Sequence, residues 1–133
     1  MDRNLERLVW SRGGACCEYC RIPQKYDELT FEIDHIIPRK HLGATVTNNL
    51  ALSCFHCNRF KGSNLSGRDP ATRQTTPLFN PRRHKWERHF RWEGPHLMGR
   101  TPIGRATIAT LRTNDYLRVL LRKVLIEEKV FPT

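Results

Sequence analysis

Apolar residues fall along this chain in short clusters separated by polar stretches. Leu5, Leu8 and Val9 sit at helical spacing between polar neighbours, which predicts a short opening helix ended by Gly13-Gly14. Leu29-Thr30-Phe31-Glu32-Ile33-Asp34 has the alternation and composition of a strand, and Pro38, which lacks an N–H, opens a loop after Ile36-Ile37. Asn48-Asn49 predicts a turn into a second apolar segment, Leu50-Ala51-Leu52-Ser53, and a helix then runs to Lys61 with Gly62 as its stop. From Ser63 to Pro81 the composition turns to Gly, Ser, Thr, Pro and Asn, so an ordered connector is expected there. Trp86, Phe90 and Trp92 suit a hairpin or sheet extension, and Thr101-Pro102 is an N-cap with proline at the first helical position, predicting a helix from Pro102 to Leu111. Asn114 or Asp115 caps a last helix in which Leu117, Leu120, Leu121, Val124 and Leu125 recur at three and four residues while Arg118, Arg122 and Lys123 take other positions. That stripe is expected to dock on an apolar surface.

Length and charge narrow the partners. The 133 residues make one domain, 1–133, whose small core alone would be marginal, so an additional staple is expected. Lys+Arg 23 against Asp+Glu 13 gives a formal net charge of +10, which points to a polyanion, nucleic acid ahead of anionic membrane. The excess lies late in the chain: residues 1–80 carry 11 basic and 8 acidic side chains, those beyond carry 12 and 5. Met1-Asp2-Arg3-Asn4-Leu5-Glu6-Arg7 is charged where a signal peptide needs an apolar stretch, and no run approaches a membrane span. A cytoplasmic protein without a membrane partner is therefore expected.

Five cysteines in a reducing compartment are not a disulfide framework, and four of them form two Cys-x-x-Cys pairs, Cys17 with Cys20 and Cys54 with Cys57. Such thiolate pairs suit a tetrahedral zinc ion. A zinc closed by four cysteines has no open coordination position, so it would stabilise, and any chemistry must sit elsewhere. Cys16 is left over and reads as a small buried hydrophobe. The long interval between the pairs holds the predicted strand and loop that carry Asp34-His35.

Those residues complete a recognisable order. Glu32-Ile33-Asp34-His35-Ile36-Ile37-Pro38, then Asn49-Leu50, then Cys54-Phe55-His56-Cys57-Asn58-Arg59-Phe60-Lys61-Gly62 resemble the HNH endonuclease signature, over about residues 15–64, with Asn58 making it an H-N-N variant. The resemblance implies an α+β fold: a ββα-metal nuclease core at 15–64 stapled by zinc, and a basic C-terminal extension at 65–133 ending in an amphipathic helix. It implies a metal-dependent endonuclease that hydrolyses phosphodiester bonds in DNA, duplex DNA foremost, by a one-metal mechanism. His35 would be the general base, since imidazole titrates near neutral pH. Asp34 and Asn58 would offer hard oxygen donors to Mg²⁺, with Mn²⁺ also expected to work. Asn49 would hold the backbone near His35, and Cys57, adjacent to Asn58, would let the zinc fix that ligand in place. Adjacent strand residues point to opposite faces, so Asp34 and His35 can share a site only where the strand ends and twists. Arg39, Lys40, Arg59 and Lys61 are expected to hold phosphates without reading sequence. His41 and His56 lie near but need no special role.

Alternative readings stay open from the residues alone. One is a zinc-stabilised nucleic-acid-binding module without catalysis; another is an HNH nuclease that cleaves RNA; a third is an interaction protein recruiting a partner through its last helix. The stretch from Asn80 to Trp92 interleaves aromatics with cations and could stack on bases or fill the core. A single active centre nicks one strand, so double-strand cleavage would call for a homodimer, for which the helix from Tyr116 to Lys129 is a candidate surface.

Overall fold

The computed structural model describes residues 1–133. Helix α1 (Arg3–Gly13) starts at Asp2, whose carboxylate accepts from the amides of Asn4 and Leu5, and ends where Gly14 turns left-handed at φ 62°. The Cys17–Cys20 knuckle follows. Strand β1 (Glu32–His35) then pairs antiparallel with β2 (Leu50–Ser53), Glu32 opposite Ser53 and His35 opposite Leu50, and helix α2 (Phe55–Lys61) begins one residue past β2. This ββα unit is the frame of the site. No helix of the molecule is long and apolar enough to cross a membrane.

All four residues of β2 are buried, which requires a partner on its outer edge as well as on β1. Glu18 supplies one: its amide donates to the Leu52 carbonyl at 2.9 Å and its carboxylate accepts from the Leu52 amide at 2.8 Å. Arg12 of α1 donates to the Leu50 carbonyl at 2.7 Å. The first knuckle is thereby hydrogen-bonded to the strand that leads into the second. Strand β1 starts later than its alternation predicts, because the Gln24 side chain takes the Phe31 amide at 2.7 Å and donates to the Leu29 carbonyl at 3.0 Å, leaving no strand partner there.

The expected connector contains a hairpin, β3 (Ser66–Arg68) with β4 (Thr75–Pro77). Three-residue strands carry no readable alternation, and what holds them is remote in sequence. At the turn, the buried Asp69 carboxylate accepts from the Ala71 amide and the Thr72 hydroxyl, and Arg105 grips both its oxygens at 3.0 and 2.9 Å. Gly67 lies so close to the helix spanning Pro102–Leu111 that a Cβ there would stand 2.0 Å from Thr110 Oγ1.

A short helix α3 (Trp86–His89) leads into a third hairpin, β5 (Phe90–Glu93) with β6 (His96–Gly99), and then α4 (Pro102–Leu111) and α5 (Tyr116–Glu127). Trp86 donates from Nε1 to the Tyr19 carbonyl at 2.8 Å, and one contiguous core joins Val9, Leu52 and Cys57 to Trp86, Leu97 and Phe131. The extension thus packs directly on the first knuckle. Helix α5 docks on the core through only part of its predicted stripe: Leu121 and Leu125 pack inward, but Leu117 is 72% exposed and Leu120 and Val124 face outward, while Arg122 is only 1% exposed. The guanidinium goes inward because Pro95, Thr113 and Asn114 offer it oxygen acceptors at 2.8 to 3.0 Å and Trp92 offers a ring face.

Candidate active site and metal centre

Cys17, Cys20, Cys54 and Cys57 are all buried, and their sulfur atoms all lie within 4.8 Å of one another. The Cys20 and Cys54 sulfurs are 3.8 Å apart, matching the edge of about 3.8 Å expected of a tetrahedron whose thiolates stand about 2.3 Å from a central zinc. Each knuckle turns an amide onto its own sulfur, Cys20 N to Cys17 Sγ at 3.5 Å and Cys57 N to Cys54 Sγ at 3.3 Å. Arg118 of α5 adds a donor to Cys54 Sγ at 3.6 Å. The four residues therefore form a metal site whose spacing and donor set fit zinc. Cys16 stays outside the cluster, half-buried, and burial pushes its thiol pKa up.

At the end of β1 a cleft of about 330 Å³ opens against α2, and Asp34, His35, Arg39, Lys40 and Asn58 all line it. His35 is half-buried, its Nε2 2.8 Å from Thr45 Oγ1 on the loop between the strands. That loop is held by Asn49: its Oδ1 accepts from the Ile37 amide at 2.8 Å, and its Nδ2 donates to the carbonyls of Ile37 and Ala44 at 3.0 and 2.9 Å. The backbone carbonyl of Asn49 takes the Ile36 amide as well. Gly43 completes the clasp, since a Cβ there would lie 1.7 Å from the Ile37 carbonyl oxygen. Asn58, in the first turn and a half of α2, donates from Nδ2 to Glu32 Oε2 at 3.2 Å, which leaves its amide oxygen without a protein donor.

Asp34 is buried beneath the cleft. Tyr19 donates to its Oδ2 at 2.6 Å, and Lys61 Nζ lies 3.0 Å from Oδ2 and 3.2 Å from Oδ1. Burial pushes the Asp34 carboxyl above the usual carboxylate range, against the pull of Lys61 and Tyr19. Burial and the neighbouring carboxylate also raise the Tyr19 phenol well above its ordinary value, so it remains a donor.

Two of the four cations expected at phosphates lie elsewhere. Lys61 is 2% exposed and spends its remaining donors on the carbonyls of His35 and Ile36, at 3.2 and 3.1 Å. Arg59 follows Asn58 by one helical step and so points off the cleft, into a separate groove shared with Tyr116 and Leu117 of α5. His41 and His56 pair with the carbonyls of Ser63 and Arg112. Conversely, Tyr19, Glu32 and Thr45 touch the cleft residues and were not singled out by the sequence pattern. Tyr19 sits inside a Cys-x-x-Cys pair and Glu32 opens the motif that runs to Pro38, so each lies beside a sequence signal, whereas Thr45 carries none.

A family model described as HNH endonuclease matches residues 17–64, from the first thiol of the metal site to just past α2. The chain carries an HNH endonuclease domain. Every cleft residue named above lies inside this HNH segment, while the β3–β4 and β5–β6 hairpins, α4 and α5 lie outside it. The chain is also similar to the Septu protein PtuB of Bacillus thuringiensis, 27% identical over 119 residues, which amounts to 88% of this chain and 44% of that protein. The chain thus spans less than half the length of this relative. No solved structure gives a significant match.

Proposed function

We propose that the chain is a divalent-metal-dependent endonuclease that hydrolyses phosphodiester bonds in duplex DNA, with His35 as general base. The observation that carries this reading is the shared cleft, which gathers an imidazole, a carboxylate, an amide oxygen and two cations, Arg39 and Lys40, next to a four-cysteine metal site. Hydrolysis needs a proton taken from water and charge stabilised on the phosphate. In the tautomer whose Nε2 donates to the Thr45 hydroxyl, the His35 Nδ1 has no protein partner and is the nitrogen available to accept the proton of water. Asp34 and Asn58 would hold a Mg²⁺ or Mn²⁺ ion through their oxygens, and that ion would neutralise charge at the phosphate. Glu32 turns the Asn58 amide so that its oxygen is the free atom. Arg39 and Lys40, exposed beside the base, would hold flanking phosphates, and the net charge of +10 would draw the polyanion in. Arg59 and Lys61 have no part in substrate contact on this reading, and no second copy of the chain is required for a nick.

Parallel digestion of supercoiled plasmid, single-stranded DNA and RNA, each in Mg²⁺ and in EDTA, tests the substrate class. Conversion of plasmid in Mg²⁺ and none in EDTA is expected. Cleavage of RNA alone would move the reading to a ribonuclease, and binding without cleavage of any of the three would leave a zinc-stapled binding module.

A further inference from the structure

An ammonium offers three donors, and all three of Lys61's are taken: by the Asp34 carboxylate, by the His35 carbonyl and by the Ile36 carbonyl. The group is almost wholly enclosed, so it neither meets substrate nor serves solubility. Burying a charge costs free energy that excellent partners must offset, and here the partners are the side chain of one cleft residue and the backbone of the next. Lys61 closes α2, so the same helix that presents Asn58 to the cleft also sends a cation beneath Asp34 and His35. We propose that Lys61 is a positioning residue that acts as a resident cation: it holds the Asp34 carboxylate and the end of β1 in place, and it shares that carboxylate with the divalent ion when the ion binds.

The proposal rests on the reading of Asp34 as a ligand to a divalent cation. Its consequence separates it from a merely structural ion pair. Two like charges on one carboxylate repel, so removing the lysine charge should tighten metal binding while loosening the geometry that the reaction uses. A structural role alone would weaken both together. Tyr19 is the neutral third member, donating to the same Oδ2 through a hydroxyl that can be removed without disturbing the ring's packing.

The test measures Mn²⁺ binding to the full chain by the electron-spin resonance of free Mn²⁺, alongside cleavage rate at saturating metal and zinc content, for wild type, Lys61→Met and Tyr19→Phe. Lys61→Met is expected to bind Mn²⁺ roughly tenfold more tightly and to cut at least about tenfold more slowly, with one zinc per chain retained. Tyr19→Phe should slow cutting with a smaller change in Mn²⁺ affinity. If folded Lys61→Met binds Mn²⁺ no more tightly than wild type, the proposal is overturned while the nuclease reading stands. Should Lys61→Met fail to fold, Lys61→Gln takes its place with the same expectation and the same overturning result. If wild type itself binds no Mn²⁺ and cuts nothing, the reading of the cleft fails and takes this proposal with it.

Discussion

Arg118 reaches from the C-terminal helix to within 3.6 Å of the Cys54 sulfur, while its guanidinium also pairs with Asp27 at 3.0 Å. A zinc bound by four thiolates carries excess negative charge, and a guanidinium beside it offsets that charge where water is excluded. Arg118→Met should therefore release zinc to a chelator several times faster than wild type and lower the melting temperature. Zinc release followed by a chromogenic chelator checks this; an unchanged release rate would mean that the contact only anchors α5.

Asn49 satisfies three backbone groups at once, two of them carbonyls that accept from its Nδ2. Replacing it with alanine leaves those part-buried groups without a protein partner and should cost about 1 kcal/mol of stability. Asn49→Asp should be worse than Asn49→Ala, because it sets a carboxylate oxygen against the Ile37 and Ala44 carbonyls in place of a donor. Urea unfolding of the two variants ranks them, and the reverse order would contradict the hydrogen-bond assignment.

Asp69 is held well below the usual carboxylate range, foremost by the Arg105 guanidinium and further by the Ala71 amide and Thr72 hydroxyl. A depressed carboxyl contributes stability that is fully present above its unfolded pKa of about 3.9 and is lost as pH falls through the folded value. Asp69→Asn should thus melt below wild type by the same margin from neutral pH down to about pH 5, with the margin shrinking only at lower pH. Melting curves across that range would contradict the account if the margin closed above pH 5.

Much of the frame was legible in the sequence because it depends on local chemistry. The two Cys-x-x-Cys pairs come together as spaced, and α4 runs from Pro102 to Leu111 as its Thr101-Pro102 cap implied. What stayed hidden depends on residues far apart in the chain. The β3–β4 hairpin is pinned by Asp69 to Arg105, thirty-six residues on, and nothing in its short strands announces that. Lys61 and Arg122 read as surface cations because lysine and arginine usually are; only the folded chain supplies the carbonyls that let each go inward. Arg59 and Asn58 are neighbours in sequence, but one helical step sends them to different cavities.

The cleft shared by Asp34, His35 and Asn58 is the proposed place of reaction. Its most direct test is the single-turnover rate of plasmid nicking in Mg²⁺ by His35→Ala against wild type, with zinc content measured on both. A loss of roughly 10²- to 10⁴-fold with zinc retained is predicted; nicking at the wild-type rate by the variant would contradict it.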